Sequence, residues 1–510
     1  MKLYTALVSL TAVFSVSASC TFAETNVTTP YYKADVPASL LTPDHDESVY
    51  LGAVDMNDGF PTEETAQKAF DFLDTSRAVN LYTNGIAIAS MYAMLEGNAK
   101  IGVEANRTIG VTEQLMDARA IWLTPNTTTP YIHAEVDVKN GPVVVELQTP
   151  VIGLINDAYF KYVADIGMGG PDRGQGGKYL LVGEDYEGEI PDGYYVYETN
   201  TYRHWLLMRA VSKPGESIEQ TLAAFKKGFK MYLLSEAKNP PANKYINLSE
   251  IHSITVHSAD AHFFDEINEV IQYEPANSGE FETIGLAASL GIKKGEPFEP
   301  DERMQGILDE AAKIANAASR SMLYRPRNPA MYIYPDRKWF SQAIQSHEFV
   351  DDNGALELDD RMAFHFYATG ITPFMVSPQV GAGSVYAVAT VDSEGEGLSG
   401  DKQYAVTLPG PVPAKDFWSF MVYDNQTRSI LETDQKSGGV DSLRNAPKAS
   451  ADGSVTIYFS PNAPEEHQDN WVQTTPGKGF NIILRLYGPL EKWFDRSWKP
   501  GDLEVIGEIK

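Results

Sequence analysis

Residues 131–147 carry the pattern that decides the fold class: YIHAEVDVKNGPVVVEL. Two β-rich runs, Tyr131–Val138 and Val143–Leu147, are separated by the turn-forming residues Lys-Asn-Gly-Pro. Short runs of β-branched and aromatic residues between such turns are typical of strands. Further runs of this kind lie in the same part of the chain, at residues 120–123, 179–182, 194–197 and 205–210. The stretch therefore indicates a domain of short, antiparallel strands, as in sandwiches and jelly rolls.

Helical patterns flank this β region. Apolar residues recur at helical spacing between Thr62 and Met94, after acidic residues in the first turn. Ser217 and Gln220 have the spacing of a capping box, which predicts that a helix begins there. Two more helices are predicted, one over His262–Ile271 and one after Pro300.

Strand patterns return beyond residue 383 and continue to the end of the chain. The runs are residues 384–391, 403–408, 417–423, 455–459 and 480–487. We therefore predict an α+β fold that is mainly β with a helical insert, built as two antiparallel β-sandwich or jelly-roll-like domains. The predicted segments are a signal peptide (1–23), an arm without a sustained period (24–60), an N-terminal β-rich domain (61–212), a helical insert or connector (213–345) and a C-terminal jelly-roll-like sandwich (346–510).

The first residues are typical of an exported protein. A positively charged start, Met1-Lys2, precedes an uncharged run from Leu3 to Ala18. Small residues at Thr21 and Ala23 predict cleavage after Ala23, and hence a periplasmic or secreted protein. The alternative is a lipid on Cys20, but residues 17–19 lack the aliphatic residue usual before a lipidated cysteine. Cys20 is the only cysteine, so the cleaved chain would have no disulfide.

Charge limits the partners. The 510 residues include 41 Lys and Arg against 69 Asp and Glu, a formal net charge of −28. Nucleic acid is therefore a poor partner, because binding it requires clustered cations. No later apolar run has the length of a membrane span, and no pattern indicates an oligomeric state. The acidic excess favours solubility, with cation binding or a preference for basic substrates as the alternatives.

Familiar catalytic motifs do not fit. The chain contains neither a Gly-x-Ser-x-Gly elbow nor a His-Glu-x-x-His helix. A glycine-rich stretch at 169–178 resembles a phosphate-binding loop, but Asp172 stands where such a loop needs glycine, and Tyr179 stands where it needs Ser or Thr. The set His257, Asp260, His262 and Asp265 suits a helix start better than a metal site.

Three segments are rich in polar and aromatic residues that the pattern of buried apolar residues does not explain. They are residues 124–131, residues 165–179, and residues 417–429 together with 470–471, 476–479 and 485–489. In this order they resemble a bacterial family that couples domain of unknown function 1254 to domain of unknown function 1214. The resemblance covers residues 60–505 and implies a β-rich N-terminal domain, a helical region and a C-terminal sandwich with jelly-roll character. Many relatives carry an acid where this chain has Thr128, and the resemblance carries over no catalytic residue.

Candidate site residues come from these segments. Asp165 and Asp172 are the candidate catalytic acid and base, with Arg173 or Lys178 as oxyanion support. The candidate ligand-binding residues are Asn126, Tyr131, Arg173, Lys178, Tyr179, Trp418, Tyr423, Arg428, Trp471 and Arg485. Structural roles remain as alternatives, namely a long turn around Arg173 and sandwich packing with buried arginines. No metal-ligand set and no particular cofactor is indicated.

Two hypotheses for function therefore stay open. The first is a hydrolase that acts on a sugar, ester or phosphate substrate in a cleft between the two β domains. The second is a non-catalytic binding protein for a small polar ligand or glycan. A convergent cleft that contains a carboxylate pair would favour the enzyme, because fold class alone does not fix function.

Overall fold

The structure, a computed structural model, describes residues 35–212, 215–341 and 346–508. The predicted signal peptide and its cleavage site after Ala23 lie outside these residues. The chain divides into two units, residues 1–69 and 70–510, and each is considered by itself. Among the described residues, no helix combines the length and apolar character needed to cross a bilayer.

The first unit contains a small antiparallel sheet within the predicted arm. Its strands are β1 (His45–Ser48), β2 (Gly52–Asn57) and β3 (Phe60–Pro61), in the order β1-β2-β3. The arm was predicted without regular structure because its strands are short and mostly exposed, so they leave no alternation of apolar and polar residues.

The second unit begins with two large N-terminal sheets. The strands of this region are β4 (Thr108–Val111), β5 (Ala120–Ile121), β6 (Ile132–Asp137), β7 (Val143–Leu147), β8 (Val151–Asp157), β9 (Tyr162–Gly167), β10 (Gly177–Gly183), β11 (Tyr195–Thr199), β12 (Arg203–Ala210), β13 (Lys230–Leu233), β14 (Lys244–Asn247) and β15 (Ser253–Ile254). The strands β5 and β15 form a separate two-stranded ladder. One sheet has the order β14-β4-β6-β12-β8-β9 and the other β11-β10-β7-β13. The predicted connector, residues 213–345, thus contributes β13, β14 and β15 besides its helices.

Alternation along the strands explains how these two sheets pack. Ile132, Ala134 and Val136 of β6 point into a buried core that also receives Val143 and Val145 of β7. Successive side chains of a strand face opposite ways, so the other residues of β6 lie on the second face of the six-stranded sheet. The adjacent strands β6 and β7 do not pair with each other, because they belong to different sheets.

Eight helices occur among the described residues. They are α1 (Glu63–Lys100), α2 (Ile218–Gly228), α3 (His262–Tyr273), α4 (Phe281–Ser289), α5 (Glu302–Tyr324), α6 (Leu358–Tyr367), α7 (Pro373–Val376) and α8 (Glu491–Phe494). The predicted capping box is confirmed, since the Ser217 hydroxyl accepts from the Gln220 amide at 3.2 Å and the Gln220 side chain accepts from the Ser217 amide at 3.0 Å. α1, α3, α4, α5 and α6 contribute to one large apolar core that also includes Trp205 of β12.

The C-terminal part is a sandwich of two four-stranded sheets. Its strands are β16 (Ser384–Ala389), β17 (Lys402–Leu408), β18 (Ala414–Asp424), β19 (Gly439–Asp441), β20 (Val455–Ser460), β21 (Trp471–Gln473), β22 (Phe480–Pro489) and β23 (Glu504–Glu508). The orders are β16-β22-β18-β19 and β21-β20-β17-β23, with a shared apolar core between them. The α+β class, with antiparallel β domains on either side of a helical region, is therefore confirmed.

Strand β22 is buried along its whole length. Its residues Ile482, Leu484 and Leu486 point into the sandwich core. Alternation places Asn481, Ile483, Arg485 and Tyr487 on the opposite face, which would face solvent in a free-standing sandwich. Because these residues are also buried, the second face of the C-terminal sheet is covered by other parts of this unit.

Candidate functional site

A cavity of about 400 Å³ lies between the second face of the six-stranded N-terminal sheet and the second face of the C-terminal sheet. We name it the arginine cavity. It is lined by Leu154, Leu207 and Arg209 from the first sheet and by Tyr386, Val388, Ile483 and Arg485 from the second. Residues 122–126, Tyr131, residues 367–370 and 375–376, and Arg496 complete much of the lining.

Arg209 enters the cavity because of its position on β12. Leu206 and Met208 point into the N-terminal sandwich core, so Leu207 and Arg209 face the other way. The Arg209 side chain is partly buried, and its guanidinium carbon lies 6.0 Å from the centre of the Tyr131 ring. Within the described part of the chain, Arg209 has no carboxylate partner and no side-chain hydrogen bond.

Arg485 enters from the opposite wall. It pairs in register with Tyr386 of β16 and with Ser419 of β18, so the three residues form a row across the sheet. Its Nη2 donates to the carbonyl of Thr124 at 2.8 Å, whereas its Nη1 is buried without a hydrogen-bond partner among the described residues. Only 4% of Arg485 is exposed, so this unused donor cannot be satisfied by bulk water.

Tyr131 supplies a third donor. Its hydroxyl oxygen accepts from the Asn126 side-chain amide at 2.6 Å and from the Asn126 backbone amide at 3.2 Å. The Asn126 side-chain oxygen is held by the Thr128 amide at 2.9 Å, which fixes the orientation of the side-chain amide. With its oxygen occupied by two donors, the Tyr131 hydroxyl can still give its own hydrogen to a ligand.

Both arginines keep their charge in this environment. Burial works against the charged form of each guanidinium, but nearby phenol groups outweigh it, and the pKa of Arg209 and the pKa of Arg485 both lie above the usual value. The phenols are those of Tyr131, Tyr386 and Tyr487, with Tyr423 beside Arg485 as well. Arg209 and Arg485 therefore both carry a positive charge at the cavity.

Asp165 holds one wall of the cavity in place and does not line it. Its Oδ1 accepts from the Thr372 hydroxyl at 2.5 Å, and Thr372 caps α7, whose Met375 lines the cavity. The preceding turn is held by Asn156, whose side chain donates to the Ile371 carbonyl at 2.8 Å and accepts from the Ile371 amide at 3.0 Å. Burial raises the pKa of Asp165. Its contacts make Asp165 a positioning residue.

Asp172 closes the glycine-rich turn between β9 and β10. It is buried, and its carboxylate accepts from the Tyr179 hydroxyl at 2.5 Å and from the Gly176 amide at 3.0 Å. Arg173 and Lys178 are exposed, and the Lys178 amine lies 3.8 Å from a Glu146 carboxylate oxygen. None of the four predicted residues of this turn, Asp172, Arg173, Lys178 and Tyr179, lines the arginine cavity.

The structure does not bring the predicted C-terminal residues together around Arg485. Tyr423 lies 5.6 Å from the Arg485 guanidinium and donates to the Pro125 carbonyl at 2.7 Å. Trp418 points into the sandwich core on the other side of the sheet. Arg428 is 1% exposed and stacks 4.0 Å from the Phe366 ring, and burial lowers its pKa to about 10. Trp471 lies in the other sheet and donates to the Ser460 carbonyl at 2.8 Å.

Of the predicted residues, Asn126, Tyr131 and Arg485 line the arginine cavity, whereas Arg209 and Tyr386 also line it but were not predicted. One signal for Arg209 was present. It follows Trp205 and Leu207 at the two-residue spacing of a strand face, and an arginine on such a face needs an explanation. Tyr386 gave no such signal, because a tyrosine in a strand is ordinary.

Comparison with known proteins identifies both domains. A family model described as a protein of unknown function (DUF1254) matches residues 106–233, and a second (DUF1214) matches residues 383–491. No curated protein matches the chain.

Two solved structures are similar. The VPA0106 protein from Vibrio parahaemolyticus is 18% identical with a TM-score of 0.50, and the match covers 85% of this chain and 100% of that chain. An uncharacterised protein from Burkholderia cenocepacia is 13% identical with a TM-score of 0.36, over 88% of this chain and 91% of that chain. The first likeness concerns the fold alone. The two matched segments confirm that domain of unknown function 1254 precedes domain of unknown function 1214 in this chain, in the predicted order.

Proposed function

We propose that the protein is an exported binding protein that holds a small ligand in the arginine cavity. The observation that supports this most is the unused donor capacity around a partly open space of about 400 Å³, a volume typical of small-molecule sites. Arg209, Arg485 and Tyr131 line the cavity: Arg209 has no side-chain hydrogen bond among the described residues, the Nη1 of Arg485 is buried without a partner there, and the Tyr131 hydroxyl keeps a hydrogen to donate. Buried polar groups are normally satisfied, so a ligand is the natural partner for these donors.

The same lining argues against hydrolysis at this site. Among the described residues, the cavity has no Asp, Glu, His, Lys or Cys in its lining. Hydrolysis by general acid–base catalysis most often uses His, Asp or Glu within hydrogen-bond reach of the substrate, whereas the titratable residues of the described lining are tyrosines and arginines. Asp165 and Asp172, the predicted catalytic pair, are bonded to Thr372 and Tyr179 outside the cavity. Binding is therefore the function that the geometry supports best.

Export rests on the sequence of residues 1–23. The positive start, the apolar run and the small residues at Thr21 and Ala23 support a cleaved signal peptide. We expect N-terminal sequencing of the protein purified from its native host to begin at Glu24. A retained Met1, or a lipid on Cys20, would contradict this proposal.

The binding proposal is tested by filling the cavity. Leu207→Trp places a large ring on the cavity side of β12, and we expect it to weaken binding of the neutral fluorescent probe phenylnaphthylamine by at least about tenfold, because the two would occupy the same space. The matched control is Ile314→Trp on α5, where the side chain is 44% exposed and lies outside the cavity lining. Probe affinity is measured by fluorescence titration.

A second variant on the opposite wall tests the same prediction in case Leu207→Trp does not fold. Val388→Phe enlarges a side chain on the opposite wall, and circular dichroism establishes that each variant is folded. If the probe binds the parent protein and both folded variants equally well, or if neither this probe nor its sulfonated analogue anilinonaphthalene sulfonate binds the parent, the arginine cavity is not a binding site for small ligands.

A further inference from the structure

We propose that the ligand of the arginine cavity is an amphipathic organic anion, with a carboxylate, sulfonate or phosphate head and an apolar body. This inference rests on the proposed binding function and specifies its ligand. It depends on three features of the cavity, namely the charges, the balance of donors and acceptors, and the distribution of apolar side chains.

The charges are the first feature. Acidic residues make up 69 of the 510 residues, yet none of the described residues that line the cavity is acidic, whereas Arg209, Arg485 and Arg496 all contribute. A guanidinium removed from water without a counter-charge is costly, and a second one nearby adds repulsion. Arg485 acts on Arg209 in this way. An anion between the two would relieve both penalties.

The balance of donors and acceptors is the second feature. Arg209, Arg485 and the Tyr131 hydroxyl are donors, the Asn126 oxygen is already held by the Thr128 amide, and the other side-chain acceptors of the described lining are hydroxyls, which donate as well. A neutral sugar presents hydroxyls that need acceptors as well as donors. A carboxylate, sulfonate or phosphate only accepts, and it pairs well with guanidinium groups.

The apolar walls are the third feature. Beyond the arginines, the lining is mainly hydrophobic, with Leu154, Leu207, Val388, Ile483, Met331 and Phe364 among its members. A free inorganic anion would leave this surface without contacts. A ligand with an apolar body would bury it, at roughly 25 cal/mol for each Å² removed from water. The space suits one such molecule of moderate size.

Arg496 gives the anion a route of approach. It lines the cavity but is exposed, and its guanidinium carbon lies 5.7 Å from the Trp493 ring, which is also part of the lining. A protein with a net charge of −28 repels anions at long range. A local cation at the cavity offsets that repulsion over about one Debye length, roughly 8–10 Å at physiological salt.

A matched pair of probes tests the inference. Anilinonaphthalene sulfonate and phenylnaphthylamine share an apolar skeleton and differ in the sulfonate. We expect the full chain to bind the sulfonate at least about 30-fold more tightly than the neutral probe. Arg209→Met should reduce this preference at least about tenfold, since a charged hydrogen bond contributes about 1.5–3 kcal/mol. Arg173→Ala, at an exposed position outside the lining, is the control and should leave the preference unchanged.

The outcomes separate the inference from the function on which it rests. If the neutral probe binds in the cavity, as shown by its loss in Leu207→Trp, but the sulfonate binds no better, the ligand is not an anion and the binding function stands. If neither probe binds the parent protein, the proposed function itself fails. If Arg209→Met does not fold, the preference in the parent protein and its loss in 1 M salt or in Arg209→Gln decide the same question.

Discussion

Replacement of Arg485 by Met is expected to weaken binding of anilinonaphthalene sulfonate by about 100-fold without lowering the melting temperature of the protein. Arg485 is 4% exposed, and its Nη1 is a donor without a partner among the described residues. Removal of one member of a buried, hydrogen-bonded charge pair costs about 2–5 kcal/mol, and 2.7 kcal/mol corresponds to a hundredfold change in affinity. Titration of the probe measures the first effect.

We expect Arg485→Met to be about as stable as the parent protein, because the ligand-free protein has no acid beside Arg485. The substitution removes one hydrogen bond, from Nη2 to the Thr124 carbonyl, which costs roughly 1–3 kcal/mol. It also removes a buried charge that lacks a counter-charge, which recovers an amount of similar size or larger. A residue retained for binding typically shows this pattern of lost function with little lost stability.

Arg444→Met is the matched control. Arg444 also donates to a carbonyl of the segment around residue 126, that of Thr127 at 2.6 Å, but it has Asp441 as a partner at 3.0 Å and lies outside the cavity lining. We expect it to keep the affinity for the probe. A lower melting temperature for Arg485→Met, with unchanged affinity per folded molecule, would show that Arg485 is only a structural tie between the two β domains.

Replacement of His365 by Phe is expected to flatten the dependence of stability on pH. His365 on α6 is 2% exposed, its Nδ1 has no partner among the described residues, and its ring lies 4.8–5.3 Å from those of Phe160, Phe349 and Phe364. Burial, with a smaller effect of Arg361, lowers the pKa of His365 to about 3. The imidazole is therefore neutral in the folded protein at every pH between 4 and 8.

The direction of the effect follows from proton linkage. In the unfolded chain the imidazole has a pKa of about 6.5, so below that pH the unfolded state binds a proton that the folded state does not. The stability associated with the neutral ring is present above pH 6.5 and is lost as the pH falls toward 3. At pH 5 the loss amounts to about 2 kcal/mol. Between pH 7 and pH 5 the parent protein should therefore lose about 2 kcal/mol more unfolding free energy than His365→Phe.

Only the difference in unfolding free energy between the parent protein and His365→Phe is informative. Glu274 is buried and Glu266 is partly buried, and desolvation raises the pKa of each to about 7, so they gain protons in the folded state over the same range and offset the histidines. Urea denaturation at several pH values gives the difference directly. His262→Phe is the control, because His262 is exposed and Asp260 raises its pKa, so any difference should have the opposite sign. Parallel profiles for the parent and His365→Phe would contradict the expectation.

Many strands could be predicted from the sequence, although β8 and β9 among others were missed, and the pairing of the strands could not be predicted. Residues 131–147 contain two correctly predicted strands that follow each other along the chain. They nevertheless lie in different sheets, because β6 pairs with β4 and β12, and β7 with β10 and β13. Local composition sets the tendency to form a strand, whereas the choice of partner depends on burial against residues far away in the chain.

For the candidate site too, the sequence predicted some residues but not how they come together in space. Arg485 and Tyr131 were predicted because they stand in polar and aromatic segments, but the segment pattern could not show which face of a sheet would be covered. Trp418 and Tyr423 were grouped, although an odd separation of five residues places them on opposite faces of β18. Arg209 lies far from Arg485 in sequence, so their convergence required the packing of two sheets.

The most direct test of the central claim is the crystal structure of the protein in complex with anilinonaphthalene sulfonate. If the arginine cavity binds organic anions, one probe molecule lies between the two sheets, with its sulfonate within about 3 Å of the Arg485 and Arg209 guanidinium groups and its rings against Leu207 and Ile483. If the probe lies elsewhere on the protein, or in the cavity with its sulfonate turned away from both arginines, the account is wrong.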